Sequence, residues 1–579
     1  MDEKLTIINE RVDDIPVLLA QQERMGIQPL LDKYFPTHGN WQGLSLGWVT
    51  VIWLTQILSQ GDHRLNHVQP WVEQRLETLS RSTGQAIRAL DFSDDRLGEV
   101  VEALNDPEQW EAFEGALNGR LLRVYDLNPE RVRHDGTTAS GYWTITPDGL
   151  FQLGHSKAHR PDLPQVKLMV SALDPMGMPV VTQVVSGEHA DDPLYVPAIR
   201  QVQKTLGRSG LLHVGDCKMA ALATRAFVQA GHDFYLCPLS ATQLPAAELA
   251  AYLAPIWTGE QSLIPVYREQ ADGPRELIAQ GYERTVSLTA EVEGKTISWT
   301  ERQLVVQSLK HAQAAEKALR ARLAKAQADL AALNQRGRGK KRFTEIAPLR
   351  QAAEAMVERY RVEHLLQVTY TETVQEHPIR RYRDRPATVR LERDVQIQVS
   401  LDEPALQQAV RALGWRVYVA NQSADQLSLT QAVWAYRSEY LVEHDFGRLK
   451  GRPLSLTPLY LQRDDHVTGL IRLLSIGLRA LTLLEFDVRR HLETDPIPLA
   501  GLYAGNPKRT TVRPTAERLL EAFEGITLTK LQYPDQMRAH VTLLSPLQQR
   551  ILALLNFPLD IYTRLCANSR KLGIKTSEP

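Results

Sequence analysis

With 579 residues the chain is too long for one hydrophobic core, so its length predicts two to four domains. Its 43% hydrophobic and 23% charged residues are typical of a soluble globular protein, and its formal net charge of −1 excludes nucleic-acid binding through overall positive charge. Three scattered cysteines exclude a disulfide framework and a CxxC-type zinc site: Cys217, Cys237 and Cys566.

The first ten residues, MDEKLTIINE, are acidic and polar, which argues against a secretory signal. The most apolar window, within residues 45–61, is shorter than a membrane span and contains Ser, Thr and Gln, so it predicts a buried helix. These patterns together predict a cytoplasmic protein.

Residues 1–125 are rich in helix formers and lack strand alternation, which predicts a helical N-terminal domain. From residue 126 to residue 244 the predicted order is three strands, a helix, a strand, a helix and a strand. These are RVRHDGTTAS, QVKLMVSALD, PVVTQVVSG, PLYVPAIRQVQKTL, LLHVGDCKM, AALATRAFVQAG and DFYLCPLS. Such an order predicts a mixed α/β sheet.

Residues 245–412 interrupt this pattern. Alternation in RTVSLTAEVEGKTISWT predicts an antiparallel β module, and two long helical patterns separated by RGRGKKRF predict a helical hairpin. Residues 413–495 resume with the strand WRVYVANQ and the helices LSLTQAVWAYRSEYLVEHDFGRLKG and HVTGLIRLLSIGLRALTLLEFDVRRHL. Residues 496–579 predict a Pro-broken helical tail, which could serve in dimerisation.

Three acidic residues lie where a ligand is favoured. Asp135 lies in a predicted strand, where a buried, unpaired carboxylate is unfavourable. It therefore either faces water at the strand end or binds a positively charged group. Asp216 follows LLHV, at the carboxyl end of a strand, where open α/β sheets bind ligands. Glu443 lies in a predicted helix. Taken singly, they are equally compatible with a turn, a helix cap and a solvated helix surface.

Carboxylate oxygens are hard ligands suited to Mg²⁺, and two such ions can activate an attacking oxygen and stabilise a leaving oxygen in phosphodiester chemistry. In one continuous helix Tyr436, Glu439, Glu443 and Lys450 share one face. That row suits a metal and a phosphate chain, although a surface pattern of charges four residues apart is the alternative.

The segments RVRHDGTTAS, LGHSKAHRPDLPQVKLMVSALD, LLHVGDCKM and YRSEYLVEHDFGRLKG together resemble DDE transposases of bacterial insertion sequences, in the insertion-sequence-four superfamily. The likeness covers nearly the whole chain and includes the order of the motifs. It implies an α/β fold with an RNase H-like mixed-sheet catalytic core, a β-rich plus helical insertion and an all-helical N-terminal domain. It also implies that Asp135, Asp216 and Glu443 are the catalytic, metal-binding triad.

The family signature Tyr-x2-Arg-x3-Glu-x6-Lys is matched by Tyr436, Glu443 and Lys450, but Glu439 stands at the arginine position. The resemblance therefore leaves the arginine's phosphate contact to Arg448 or to the basic insertion. Glu439 is a candidate outer-shell carboxylate.

For activity, the resemblance implies Mg²⁺-dependent cleavage of double-stranded DNA at terminal inverted repeats and strand transfer into target DNA. Mn²⁺ is expected to substitute, a homodimer to bring two ends together, and the protein to associate with the nucleoid. The alternatives are a nuclease without strand transfer and an inactive, domesticated DNA-binding protein. The sequence contains no Walker A, HExxH or GxSxG motif, so ATP use and hydrolase chemistry lack support.

The local basic surface is predicted in residues 310–342, whose ten Lys and Arg against two acidic residues give a charge of about +8, available for sequence-neutral phosphate contacts. A solvated hairpin tip is the alternative. Residues 1–125 are the candidate for recognising DNA ends. The predicted DNA-binding residues are Tyr436, Lys450, Arg448, Lys157, Arg160, Arg336, Arg338, Lys340, Lys341, Arg342 and Trp299. Trp299 and Trp257 are candidates to stabilise a flipped base, with a buried tryptophan the alternative for each.

Overall fold

The structure, a computed structural model, describes residues 6–157, 159–269, 273–337, 342–380, 386–495, 497–532 and 537–566. Its α-helices are α1 (Ile15–Met25), α2 (Ile27–Tyr34), α3 (Leu46–Gln60), α4 (Val68–Glu73), α5 (Leu76–Thr83), α6 (Asp94–Leu104), α7 (Pro107–Val124), α8 (Tyr195–Leu206), α9 (Leu222–Ala230), α10 (Ala246–Trp257), α11 (Leu309–Ala332), α12 (Ile346–Tyr360), α13 (Glu403–Arg411), α14 (Leu429–Arg437), α15 (Tyr440–Lys450), α16 (Asp464–Thr494), α17 (Ala516–Glu521), α18 (Pro546–Leu554) and α19 (Asp560–Thr563).

The strands are β1 (Thr6–Arg11), β2 (Arg131–Ser140), β3 (Gln165–Leu173), β4 (Met178–Ser186), β5 (Leu212–Gly215), β6 (Phe234–Pro238), β7 (Ile264–Arg268), β8 (Glu276–Val292), β9 (Lys295–Ser308), β10 (Leu366–Ile379), β11 (Thr388–Leu401), β12 (Trp415–Ala420), β13 (Leu499–Ala500), β14 (Thr510–Thr511), β15 (Thr527–Gln532) and β16 (Met537–Val541). The chain divides into two compact units. The first comprises Met1–Cys237, Leu288–Trp299 and Trp434–Pro579, and the second comprises Pro238–Ser287 and Thr300–Val433.

In the first unit five strands are neighbours in the order β4-β3-β2-β5-β6. The pairs β4–β3 and β3–β2 are antiparallel, whereas β2–β5 and β5–β6 are parallel. Helix α8 connects β4 to β5, and helix α9 connects β5 to β6. This arrangement confirms the predicted mixed α/β fold.

Helix α16 lies among the helices of the first unit and contacts α1, α3, α6, α15, α17 and α18. It is long and apolar enough to cross a membrane by length and composition, but 89% of its most apolar window is buried inside the protein. Its Arg479 forms an ion pair of 2.5 Å with Glu114 of α7, and both side chains are fully buried. The apolar run is therefore a core helix, and one of its charged residues forms a fully buried ion pair with α7.

The prediction of an all-helical N-terminal region is wrong at its first described residues. Strand β1 pairs antiparallel with β15, so that Thr6 lies opposite Gln532 and Arg11 opposite Thr527. Glu10 is buried and accepts hydrogen bonds from the backbone and side chain of Thr78. This strand has only six residues, and its partner lies more than 500 residues away in the sequence. The local sequence pattern is therefore too short to predict the strand.

In the second unit the strands β12, β9, β8 and β7 are neighbours in that order. Helices α11 and α12 form the predicted hairpin and pack on the long antiparallel pair β10–β11. Leu330, Leu349 and Ala353 from the helices share a core with Val395 and Ile397 of β11. The predicted antiparallel β module and helical hairpin are both present.

Candidate metal centre

Neighbouring parallel strands place Asp135 and Asp216 side by side. The described β2–β5 pairing ends with His134 opposite Gly215, so the next residue on each strand is an aspartate. Adjacent strands lie about 4.8 Å apart, and equivalent register positions project to the same face. Two carboxylates that are 81 positions apart in the chain therefore meet at one edge of the core.

Both aspartates are held by hydrogen bonds. Asp216 Oδ1 accepts from the Tyr195 hydroxyl at 2.6 Å and from the Lys218 backbone N–H at 2.8 Å. Asp135 Oδ1 accepts from the Gly136 backbone N–H at 2.7 Å and from Lys157 Nζ at 3.4 Å. Lys157 also donates to the Gly136 carbonyl. These contacts fix the orientation of both carboxylates.

The predicted single helix that should carry Tyr436, Glu439, Glu443 and Lys450 is broken. Helix α14 ends at Arg437 and α15 begins at Tyr440. Around the break, hydrogen bonds run between residues three apart, as from Glu439 N–H to the Tyr436 carbonyl at 3.1 Å. Such bonds tighten the turn and interrupt the regular helix. The expectation of one continuous helix over these four residues is therefore wrong.

A buried arginine holds the end of α14 against β2. Arg133 forms bonds of 2.6 and 2.7 Å with the two carboxylate oxygens of Asp174 and also donates to the Ala435 carbonyl. Its side chain is 3% exposed. This attachment brings the turn that contains Glu439 close to the middle of β2, where Asp135 lies.

A small cleft lies where β2, β5 and the turn between α14 and α15 meet. It is lined by Asp135, Asp216, Glu439 and Tyr436, together with parts of β2, β5 and α15. Of the described residues, those that line this cleft do not include Glu443, which is exposed one turn further along α15. The structure therefore brings Asp135 and Asp216 together, with Glu439 as the carboxylate that shares their cleft and Glu443 next to it.

The cleft holds more negative charge than its surroundings balance. Burial raises the pKa of Asp135, Lys157 lowers it, and Asp216 raises it further. Burial also raises the pKa of Glu439, and the negative charges of Asp135, Glu443 and Asp216 add to that shift. Closely spaced carboxylates of this kind resist simultaneous ionisation until a cation compensates them. The carboxylates offer oxygen atoms as ligands, and their negative charge is not balanced. Both properties fit a divalent cation such as Mg²⁺.

Two lysines lie beside the carboxylates. Lys450 is half-buried, and its pKa is lowered by burial and by the positive charge of Lys157, while Asp135 opposes the shift. Lys157 contacts Asp135 directly. The predicted phosphate contacts Lys157, Lys450 and Tyr436 thus lie at or close to the cleft.

Other predicted DNA contacts have structural partners instead. Arg448 is 3% exposed and forms ion pairs with Glu485 and with Glu517, the latter at 2.7 Å, so it cannot replace the missing signature arginine in this conformation. Trp299 is 8% exposed, and its indole N–H donates to the Tyr235 hydroxyl at 2.8 Å. Trp299 is therefore a buried tryptophan rather than a base-stacking surface, whereas Trp257 is 37% exposed.

The remaining predicted arginines are exposed but paired. Arg160 forms a 2.7 Å ion pair with Asp162. Arg336 pairs with Asp394 of β11, and Arg342 pairs with Glu392 at 2.5 Å. The predicted contacts between them in RGRGKKRF, Arg338, Lys340 and Lys341, lie outside the described residues.

No family model matches the chain, and no curated protein matches it. Among solved structures, the chain is similar to the piggyBac transposase in the cryo-EM structure of its synaptic complex with hairpin DNA, with 8% sequence identity and a TM-score of 0.23. The similarity covers 51% of this chain and 58% of that one, so this chain spans less than two thirds of that transposase. Similarity at this level carries no argument about activity.

Proposed function

We propose that the protein is a DDE transposase of the insertion-sequence-four type, which cuts double-stranded DNA at the ends of an element and joins those ends to target DNA. The observation that carries the proposal is the placement of Asp135 on β2 and of Asp216 directly after the neighbouring parallel strand β5, in a cleft with excess negative charge and two lysines at its side. The same arrangement also suits a nuclease on this fold, and strand transfer from a pre-cut DNA end distinguishes the two.

In the proposed mechanism Asp135, Asp216 and Glu443 would hold two Mg²⁺, or Mn²⁺. When bound, the ions supply activation of water, and later of a 3′-hydroxyl, and stabilisation of the leaving 3′-oxygen. Lys157 and Lys450 bind the phosphate that is attacked. Tyr195 and the Lys218 backbone N–H orient the Asp216 carboxylate. The resemblance further supports a homodimer that aligns two DNA ends.

The family signature and the cleft favour different residues as the third carboxylate. The signature favours Glu443, whereas Glu439 shares the cleft with both aspartates. The negative charges of Asp135, Glu443 and Asp216 raise the pKa of Glu439, which shows that it lies close to all three. We therefore assign Glu439 a supporting role, in which it orients the groups that would hold the metal. Supporting groups of this kind change activity by about 10- to 100-fold.

Glutamine at each position tests this assignment. We expect Glu443→Gln to abolish Mg²⁺-dependent cleavage of a DNA duplex that carries the element end, and Glu439→Gln to lower the cleavage rate by about 10- to 100-fold. Cleavage is measured in single-turnover assays, with DNA binding followed in Ca²⁺ as a control for folding. The opposite ranking would make Glu439 the third ligand, and full activity of both variants would contradict the metal centre.

The basic surface for DNA is best supported on α11. Its apolar side is buried, while Lys310, Lys317, Arg322 and Lys325 are exposed on the other side. Arg320 is engaged with Glu316 of the same helix at 2.7 Å. The four other cations have no described ion pair, in contrast to Arg336 and Arg342. We therefore propose that α11, more than the loop after it, contacts the phosphate backbone.

Removal of two of these charges should change the salt dependence of binding. The double variant Lys317→Gln/Lys325→Gln is expected to reduce the slope of log K against log[salt] by about 0.9 for each lost phosphate contact, or roughly 1.8 in total. The slope is measured by fluorescence anisotropy with a duplex. Lys204→Gln on α8, an exposed lysine paired with Glu111, is the control. An unchanged slope for the double variant would exclude α11 as a phosphate contact.

A further inference from the structure

Beneath the two aspartates runs a buried chain of hydrogen bonds across three neighbouring strands. Ser171 Oγ on β3 lies 2.9 Å from His134 Nδ1 on β2, and His134 Nε2 lies 2.8 Å from His213 Nδ1 on β5. His213 Nε2 lies 3.1 Å from Asp233 Oδ2, just before β6. All four residues are buried, with the pair His213–Asp233 fully so. The mechanism above uses none of them.

The direction of the chain follows from its acidic end. Asp233 also accepts hydrogen bonds from Gln203 Nε2 at 2.6 Å and from the Leu211 backbone N–H at 2.9 Å. Burial opposes ionisation of Asp233, but the bonds from His213 and Gln203 lower its pKa, so it is a carboxylate. An acceptor carboxylate requires a proton on His213 Nε2, which leaves His213 Nδ1 to accept from His134 Nε2–H. His134 Nδ1 then accepts from the Ser171 hydroxyl.

We propose that this Ser171–His134–His213–Asp233 chain is a positioning device that sets the spacing of Asp135 and Asp216 for Mg²⁺, an inference that rests on the proposed metal centre. His134 immediately precedes Asp135, and its register partner Gly215 immediately precedes Asp216. The described ladder between β2 and β5 ends at that pair. The contact between the two imidazoles therefore crosses the β2–β5 ladder diagonally, from His134 at its last described pair to His213, which lies opposite Val132.

The choice of ion makes the proposal testable. Mg²⁺ demands near-ideal octahedral geometry at about 2.0–2.1 Å, whereas Ca²⁺ accepts flexible geometry at about 2.3–2.6 Å. A small change in the spacing of two carboxylates should therefore weaken Mg²⁺ binding more than Ca²⁺ binding. Loss of folding would instead weaken the binding of both ions together.

The experiment measures the Mg²⁺ and Ca²⁺ affinities of the full-length protein by isothermal titration calorimetry. His213→Phe, which breaks the chain at its centre, and Ser171→Ala, which removes only its first donor, are each expected to weaken Mg²⁺ binding about tenfold and to leave Ca²⁺ binding within about twofold. Ser171→Thr keeps a hydroxyl and should restore Mg²⁺ affinity. Ser140→Ala on β2 is the matched control, because the buried Ser140 hydroxyl has no partner among the described residues.

Each outcome decides a separate point. Wild-type Mg²⁺ affinity in Ser171→Ala, or an equal loss for both ions in this variant, overturns the positioning chain and leaves the metal centre intact. Wild-type protein that binds neither ion overturns the proposed function itself and this inference with it. If His213→Phe does not fold, Ser171→Ala alone decides the result.

Discussion

Replacement of Asp135 by asparagine is expected to abolish Mg²⁺-dependent DNA cleavage and, at neutral pH, to raise the thermal stability of the metal-free protein. Activity should fall at least about a thousandfold, roughly 4 kcal/mol of transition-state stabilisation, because the variant lacks one of the proposed ligands of Mg²⁺. Stability should rise because the variant removes a buried negative charge that faces Asp216 and Glu439. Functional sites often lower stability in this way.

The pH dependence of stability follows from the raised pKa of Asp135. The folded protein holds the proton of this carboxyl more tightly than the unfolded chain, whose aspartates titrate near pH 3.8. The favourable contribution is therefore fully present below that pH and is lost as pH rises through the higher pKa of the folded state. The stability gain of Asp135→Asn should thus be absent near pH 3.8 and develop as the pH increases.

Thermal melting without metal, between pH 4 and pH 8, measures this effect, and the cleavage assay measures the loss of activity. Added Mg²⁺ should stabilise the wild-type protein and have a much smaller effect on Asp135→Asn, since only the wild type has the complete set of carboxylates. Cleavage by Asp135→Asn at the wild-type rate would remove Asp135 from the proposed triad.

The largest expected loss of stability is at the buried pair Arg479–Glu114. Replacement of Arg479 by methionine leaves the Glu114 carboxylate fully buried, where burial already raises its pKa, without the guanidinium that lies 2.5 Å away. Breaking a buried ion pair in this way costs about 3–5 kcal/mol of unfolding free energy. The cost is measured by urea denaturation followed by circular dichroism.

Two variants make this prediction specific. Arg463→Met removes an exposed arginine, paired with Glu102 and Asp465, and should cost less than about 1 kcal/mol. The double variant Arg479→Met/Glu114→Leu removes both buried charges and should recover much of the loss. A single Arg479→Met variant as stable as the wild type would contradict the buried pair.

The strands that bear Asp135 and Asp216 could be predicted because their information is local. Alternating and apolar runs define β2 and β5, and the sequence marks both carboxylates as unusual, since Asp135 lies within β2 and Asp216 directly follows β5. The parallel β2–β5 pairing then follows from the order of strands and helices, since a strand connected through a helix returns parallel to its neighbours.

The helix break at Ser438 and Glu439 could not be predicted from the same reasoning. The segment has no proline or glycine before Gly447, so local propensity favours one continuous helix. The break coincides instead with tertiary contacts, above all the donation from Arg133 to the Ala435 carbonyl. The helical pattern places Glu439 on the same face as Glu443, but it does not indicate that Glu439 rather than Glu443 lines the cleft, since the contact at the break joins residues 302 positions apart.

Arg448 shows the same limit for charged residues. In the sequence it is an available cation next to the signature, but Glu485 of α16 and Glu517 of α17 surround its guanidinium in the fold. Whether an arginine binds phosphate or a carboxylate depends on side chains from distant elements. Charge patterns therefore predict the presence of a basic surface better than they predict its members.

The pairing of β1 with β15 affects how the protein is made. Residues 6–11 cannot complete their sheet until residues 527–532 have left the ribosome, so more than 500 intervening residues must be synthesised before this part of the first unit closes. In a nascent chain truncated before residue 527, β1 would lack its partner strand and Glu10 would be incompletely buried. Newly made protein should consequently complete the folding of the sheet around residues 6–11 only after residues 527–532 have been synthesised.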